Sequence, residues 1–118
     1  MDDDRREFMR FPVSLPVEFV YGNEETKLGL IRDFSRFGFR MVYDSCEFEP
    51  NSLVSFKIKN PFSERYIDAC GEVIWKRFLG EKWEAGIYIR EFAPEYKAEI
   101  LEFGFNQWKE RNRRPAHN

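Results

Sequence analysis

Along most of this chain apolar and polar residues alternate with a period of two. Val13, Leu15, Val17, Phe19 and Tyr21 are interleaved with Ser14, Pro16 and Glu18, the pattern of a strand with one buried face. Pro16 lacks a ladder donor, so this strand is expected to lie at an edge or to pair irregularly there. Gly22-Asn23-Glu24-Glu25 reads as a turn. A second strand is expected from Thr26 to Ile31, running into the polar turn Asp33-Phe34-Ser35-Arg36-Phe37-Gly38. Phe39, Met41 and Tyr43 alternate in a third, and Leu53 to Ile58 form a fourth, closed by a turn at Lys59-Asn60-Pro61-Phe62. The fifth runs from Tyr66 to Lys76, with Ile67, Ala69, Val73 and Trp75 on one face. Gly71 in its middle marks a bulge or a sharp bend. After a hairpin loop at Gly80-Glu81, Trp83, Ala85, Ile87 and Ile89 line one face of a sixth strand.

The period then changes. Pro94 suits the first helical position and Glu95 the first turn. Tyr96, Ile100, Leu101, Phe103, Phe105 and Trp108 recur at helical spacing, and Lys109, Arg111, Arg113 and Arg114 crowd the far end, where cations complement the helix dipole. The pattern predicts a helix over 94–111, in which Gly104 costs about 1 kcal/mol relative to Ala. Six evenly spaced strands and one amphipathic helix predict a mainly all-β fold: a small six-stranded antiparallel β-barrel with a C-terminal α-helix. Residues 1–12 are expected to form a flexible arm, 13–111 the barrel and helix, and 112–118 a mobile tail.

The 118 residues suit one domain, and 42% apolar content excludes a disordered chain. Nineteen basic against 21 acidic side chains leave a net charge of −2, which argues against a protein held to nucleic acid by bulk charge. Cys46 and Cys70 match no metal-binding spacing and make no disulfide scaffold. No apolar run approaches the ~20 residues of a membrane span, and the opening MDDDRREF has no signal-peptide apolar core. A cytoplasmic protein without membrane insertion is expected. The sole histidine, His117, lies in the tail, so neither a nucleophile–histidine pair nor a zinc site has its ligands. Phosphate-loop and dinucleotide glycine patterns are absent. The expectation is no enzyme, no cofactor and no metal.

Two segments are unlike ordinary barrel sequence. Arg5, Arg6 and Arg10 fall within six residues just before the first strand, and Pro12 biases Phe11 away from helical geometry. Read alone, this is a solvated basic arm balancing Asp2, Asp3 and Asp4. The second segment is Asp33-x-Ser35-x-x-Gly38, where Asp and Ser favour a turn and Gly38 suits a left-handed conformation or a close backbone approach. Read alone, it needs no function.

Taken together, in order and at this separation, R-x-x-x-R (Arg6 to Arg10) and D-x-S-x-x-G (Asp33 to Gly38) resemble the paired signature of the PilZ domain. Gly71-Glu72-Val73-Ile74-Trp75 is similar to that family's G-x-V-x-W strand, and Ala85-Gly86-Ile87 to its glycine-containing last strand. The resemblance covers residues 5 to about 105. It implies a receptor for cyclic di-GMP, with Arg5, Arg6, Arg10, Asp33, Ser35 and Gly38 at the site. Arg40 joins them if it points outward, and Trp75 either flanks the ligand or fills the core or barrel mouth. Guanidinium groups fork onto phosphate or guanine O6 and N7 and stack on purines. Asp33 either accepts from guanine N–H groups or orients an arginine, and Ser35 donates or accepts beside it. The resemblance further implies that Arg5 favours an intercalated ligand pair, and that ligand binding orders the arm. The signal would pass to a separate effector protein through the arm or the helix, from a monomer or weak homodimer. Two other readings stay open: a PilZ-like adaptor that binds no ligand, and a small barrel for single-stranded nucleic acid using aromatics and arginines.

Overall fold

Alternating apolar positions on six short strands leave each strand with one face to bury, and rolling the sheet into a closed tube buries all six at once. In the computed structural model, which describes residues 10–22, 25–44, 48–49 and 51–113, this is the architecture. The strands are β1 (Phe11–Val20), β2 (Lys27–Phe34), β3 (Gly38–Tyr43), β4 (Leu53–Lys59), β5 (Tyr66–Phe78) and β6 (Trp83–Phe92), followed by helix α1 (Pro94–Arg113). They close in the order β1-β2-β3-β6-β5-β4, every pair antiparallel. The six-stranded barrel with a C-terminal helix matches the fold expected from the sequence. Cys46, His117 and the arm residues Arg5 and Arg6 lie outside the described residues.

The inward residues fill the tube. Val13, Leu15, Val17 and Phe19 of β1 are buried on alternate positions, as are Val54, Phe56 and Ile58 of β4. Phe34 stacks on Phe39 at 6.0 Å, and Phe39 meets Phe56 edge-on at 5.2 Å. Pairing of β1 with β4 begins at Val17, one residue after Pro16, so the proline falls where only β2 is a neighbour. The register of β5 against β6 slips between Cys70 and Gly71, the irregularity expected there.

The end of β2 and the face of Trp75 differ from the pattern-based reading. Strand β2 continues through Asp33 and Phe34 rather than stopping at Ile31, so only Ser35 to Phe37 turn. Trp75 does not share the buried face of Ala69 and Val73. The register slips between Val73 and Trp75, leaving Ile74 as the extra residue, and Trp75 is 40% exposed on the outer wall. Burial of the phenylalanines is also less general than alternation suggests: Phe37, Phe62, Phe78 and Phe105 are exposed.

Helix α1 lies against β1. Its capping residue is Ala93, whose carbonyl accepts from the amides of Tyr96 and Lys97, and Ile100 is its deepest side chain. Phe105 and Trp108 pack edge-on to Phe11, at 5.8 and 6.4 Å. A Cβ at Gly104 would lie 2.8 Å from the Cβ of Phe11, so the missing side chain sets how closely helix and strand approach. Gly104→Ala would gain about 1 kcal/mol of helix propensity but incur overpacking of about 1–3 kcal/mol. The expected outcome is a net loss, read as a Tm lower by about 4 °C.

Candidate functional site

The turn from β2 to β3 is built around Ser35. Its amide donates to the Gly38 carbonyl at 2.8 Å, and its hydroxyl donates to the same oxygen at 3.2 Å. That hydroxyl also accepts from the amides of Phe37 and Gly38, both at 3.3 Å. A hydroxyl has one proton and two lone pairs, so Ser35, buried as it is, is fully occupied in shaping the turn. The Ile89 amide donates to the Phe37 carbonyl at 2.8 Å and ties the turn to β6. Gly38 is not left-handed: the glycines with positive φ among the described residues are Gly22 and Gly80. Its requirement is space, because a Cβ there would fall 1.9 Å from the Ile87 carbonyl oxygen.

Next to this turn, two bulges aim side chains outward. Ile31 of β2 points into the core opposite Met41, and strict alternation would send Asp33 in as well. The register slips at Arg32, so Asp33 instead stands opposite Arg40. The slip at Ile74 does the same for Trp75, which stands opposite Gly86. Since Arg40 is in turn opposite Gly86, Asp33, Arg40, Gly86 and Trp75 form one row across four strands. A Cβ at Gly86 would lie 2.2 Å from Nε1 of Trp75, so the indole rests on the bare glycine backbone. Arg10, Ser35, Phe37, Gly38, Trp75 and Tyr88 surround a shallow hollow here.

A line of alternating charge crosses the same wall. Arg10 Nη1 donates to Asp33 Oδ1 at 2.8 Å, and Arg40 Nε donates to Asp33 Oδ2 at 2.7 Å. Arg40 Nη1 also donates to Glu84 Oε2, and Arg77 Nε donates to Glu84 Oε1 at 2.7 Å. The Arg77 guanidinium lies 5.9 Å from the Trp75 ring centroid, within cation–π range. Three guanidinium groups face two carboxylates, so the line carries excess positive charge. Burial alone would push the Glu84 carboxyl up; the hydrogen bonds and charges of Arg77 and Arg40 outweigh it and hold the carboxyl below its usual range. Fixed guanidinium groups beside an exposed aromatic face are suited to a planar, anionic ligand.

Of the residues singled out in the sequence, Arg10, Asp33, Ser35, Gly38, Arg40 and Trp75 come together; Arg5 and Arg6 lie outside the described residues. Glu84 and Arg77 were not singled out. The one trace of Glu84 in the sequence is a carboxylate inside the otherwise apolar run Trp83-Glu84-Ala85-Gly86-Ile87.

A family model described as "PilZ domain" matches residues 4–106. No curated protein matches the chain. Among solved structures it is similar to the Inhibitor of motility (MotI/DgrA) of Bacillus subtilis, with 21% identity and a TM-score of 0.74. That alignment covers 90% of this chain but 52% of the other, so this chain spans about half its length. It is similar also to the PilZ domain with c-di-GMP of YcgR from Escherichia coli, at 12% identity and a TM-score of 0.67, covering 94% and 99% of the two chains. The PilZ domain of CeSA from a cellulose-synthesizing bacterium gives 13% identity and a TM-score of 0.60, covering 84% and 97%.

The depressed Glu84 carboxyl fixes a pH dependence. Its contribution to stability is complete above the ordinary value of 4.5 and is lost as pH falls through the lower folded-state value. Denaturant unfolding of the protein and of Glu84→Gln should therefore differ by a constant amount from pH 6 to 8, with the gap narrowing below about pH 4.5.

Proposed function

The chain belongs to the PilZ domain family, and on that premise we propose that it is a receptor for cyclic di-GMP. The observation that carries the reading is the bond between its two motifs: Arg10 of R-x-x-x-R and Asp33 of D-x-S-x-x-G, 23 positions apart, meet at 2.8 Å. The ligand offers two phosphodiester anions and two guanines, and the site offers guanidinium groups beside an aromatic face. Arg5, Arg6 and Arg10 supply the cations that fork onto phosphate or guanine. Both oxygens of Asp33 are engaged by arginines, which favours the orienting role for this carboxylate. Ser35 and Gly38 shape the turn, and Trp75 with Tyr88 forms an apolar border. The solved YcgR domain, named as holding c-di-GMP, supports the same ligand class.

Arg5 adds a cation beside the others, which suits two stacked ligand molecules with doubled phosphates. Ligand binding would order the arm from Arg10 outward. Phe11, the next residue, is wedged under Phe105 and Trp108, so reordering reaches helix α1, the surface through which an effector protein would read the signal. The protein acts by binding rather than catalysis, in the cytoplasm.

Isothermal titration with cyclic di-GMP tests the reading, with Arg6→Ala and Arg10→Ala alongside. Saturable binding near 1 μM, about −8 kcal/mol, is expected. Each variant should weaken it by tenfold or more, about 1.4 kcal/mol or above. Two ligands per chain support the stacked pair, and one rejects it. Absence of heat and of a thermal shift at high ligand would sink the receptor reading in favour of an adaptor. Equal binding of oligonucleotides, falling steeply with salt, would favour the nucleic-acid barrel.

A further inference from the structure

We infer that Glu84 is the positioning residue of this site: one buried carboxylate holds Arg40 against Asp33 on one side and Arg77 over Trp75 on the other. The inference rests on the receptor reading for the ligand and on the geometry of the barrel wall for the coupling.

Glu84 points outward from β6, between the inward residues Trp83 and Ala85, yet it is only 1% exposed. It is covered by its partners. Val42 and Arg77 are its direct neighbours across the sheet, and the Arg40 and Arg77 side chains fold over it. A carboxylate removed from water persists only when paired and fully hydrogen-bonded. Here each oxygen has its own arginine, Oε2 taking Arg40 and Oε1 taking Arg77.

The arginines are constrained differently. Arg40 uses Nε for Asp33 and Nη1 for Glu84. A guanidinium is a planar fork, so it cannot rotate without breaking one of those bonds. With Oδ2 of Asp33 held this way, Oδ1 is the oxygen open to exchange between Arg10 and an incoming N–H. Arg77 spends Nε on Glu84 and its side chain is 64% exposed, which leaves the rest of the fork over Trp75 and toward solvent. The two sides of the candidate site thus meet at the two oxygens of one carboxylate. Arg77 becomes a further ligand-facing cation, displayed above the indole at 5.9 Å from its centroid.

The sign of the expected effect separates positioning from bulk electrostatics. Deleting a negative charge near a dianionic ligand should, by Coulomb attraction alone, tighten binding. Releasing Arg40 and Arg77 to solvent should weaken it. Glu84→Gln keeps the shape but turns an amide NH₂ toward one of the arginines; both arginines can swing into water, so the barrel survives the change.

The test is the cyclic di-GMP Kd of the full chain and of Glu84→Gln, Arg77→Gln, Arg40→Met and the double variant Arg40→Met/Glu84→Gln. Each protein is labelled with 5-fluorotryptophan for ¹⁹F NMR without ligand. Glu84→Gln is expected to weaken binding by about tenfold or more and to move the Trp75 resonance, as is Arg77→Gln to a smaller degree. In the Arg40→Met background, adding Glu84→Gln should cost less than Glu84→Gln alone, because one of its two routes to the site has gone. Unchanged or tighter binding by a folded Glu84→Gln would overturn the inference and leave the receptor reading intact. So would an unmoved Trp75 resonance, or a fully additive double variant. Failure of the unsubstituted chain to bind would overturn the receptor reading itself, and the inference with it.

Discussion

Two extra residues in the ladder decide what the outer wall of this barrel displays. Arg32 in β2 and Ile74 in β5 each shift the register by one, and each turns the next residue from the core to the surface. Asp33 and Trp75 are the residues turned. A bulge costs a ladder hydrogen bond and adds local twist, and a six-stranded tube needs such twist to close. Closure and display are therefore linked: the irregularities that suit a small barrel also re-aim an acid and an indole onto one row.

Across the same wall runs paired charge rather than isolated polar groups. Arg10, Asp33, Arg40, Glu84 and Arg77 alternate in sign, each bonded to the next. Charged hydrogen bonds are short and directional, and a buried carboxylate tolerates little freedom in its partners. The result is a chain of paired guanidinium and carboxylate groups running from Arg10, at the edge of the hollow, to Arg77. Ser35 and Gly38 serve that wall indirectly. One completes a turn with its own hydroxyl; the other lets β3 pass close to the Ile87 carbonyl. The root of the arm is fixed from the opposite side, where Phe11 packs under helix α1. Arg10 thus adjoins a residue braced by both the sheet and the helix.

Much of the barrel was legible from period-two alternation, because a strand with one buried face must alternate. Alternation failed where a bulge resets the phase. It carried Trp75 to the core face and ended β2 early, at Ile31, where the apolar pattern gives way to Arg32 and Asp33. The motif residues were recognisable by type and spacing, but their division of labour was not. Ser35 is as acceptable in a ligand contact as in a turn, and only the structure shows its hydroxyl making three bonds within the turn. Glu84 left almost no trace, since a single carboxylate in a strand reads as an ordinary solvent-facing residue until two arginines from neighbouring strands are seen to cover it.

What the sequence by itself determined is the set of local preferences: six alternating segments, a helix opened by Pro94, and two motifs rich in arginine and turn-forming residues. These follow from side-chain type and near-neighbour geometry, which are written in order along the chain. What only the tertiary structure decided is which side chains share a wall. That depends on strand order and register, with β3 beside β6 rather than β4, and so on pairings such as Gly38 with Tyr88, 50 positions apart. Such pairings are set by closure of the whole barrel, and no local preference contains them.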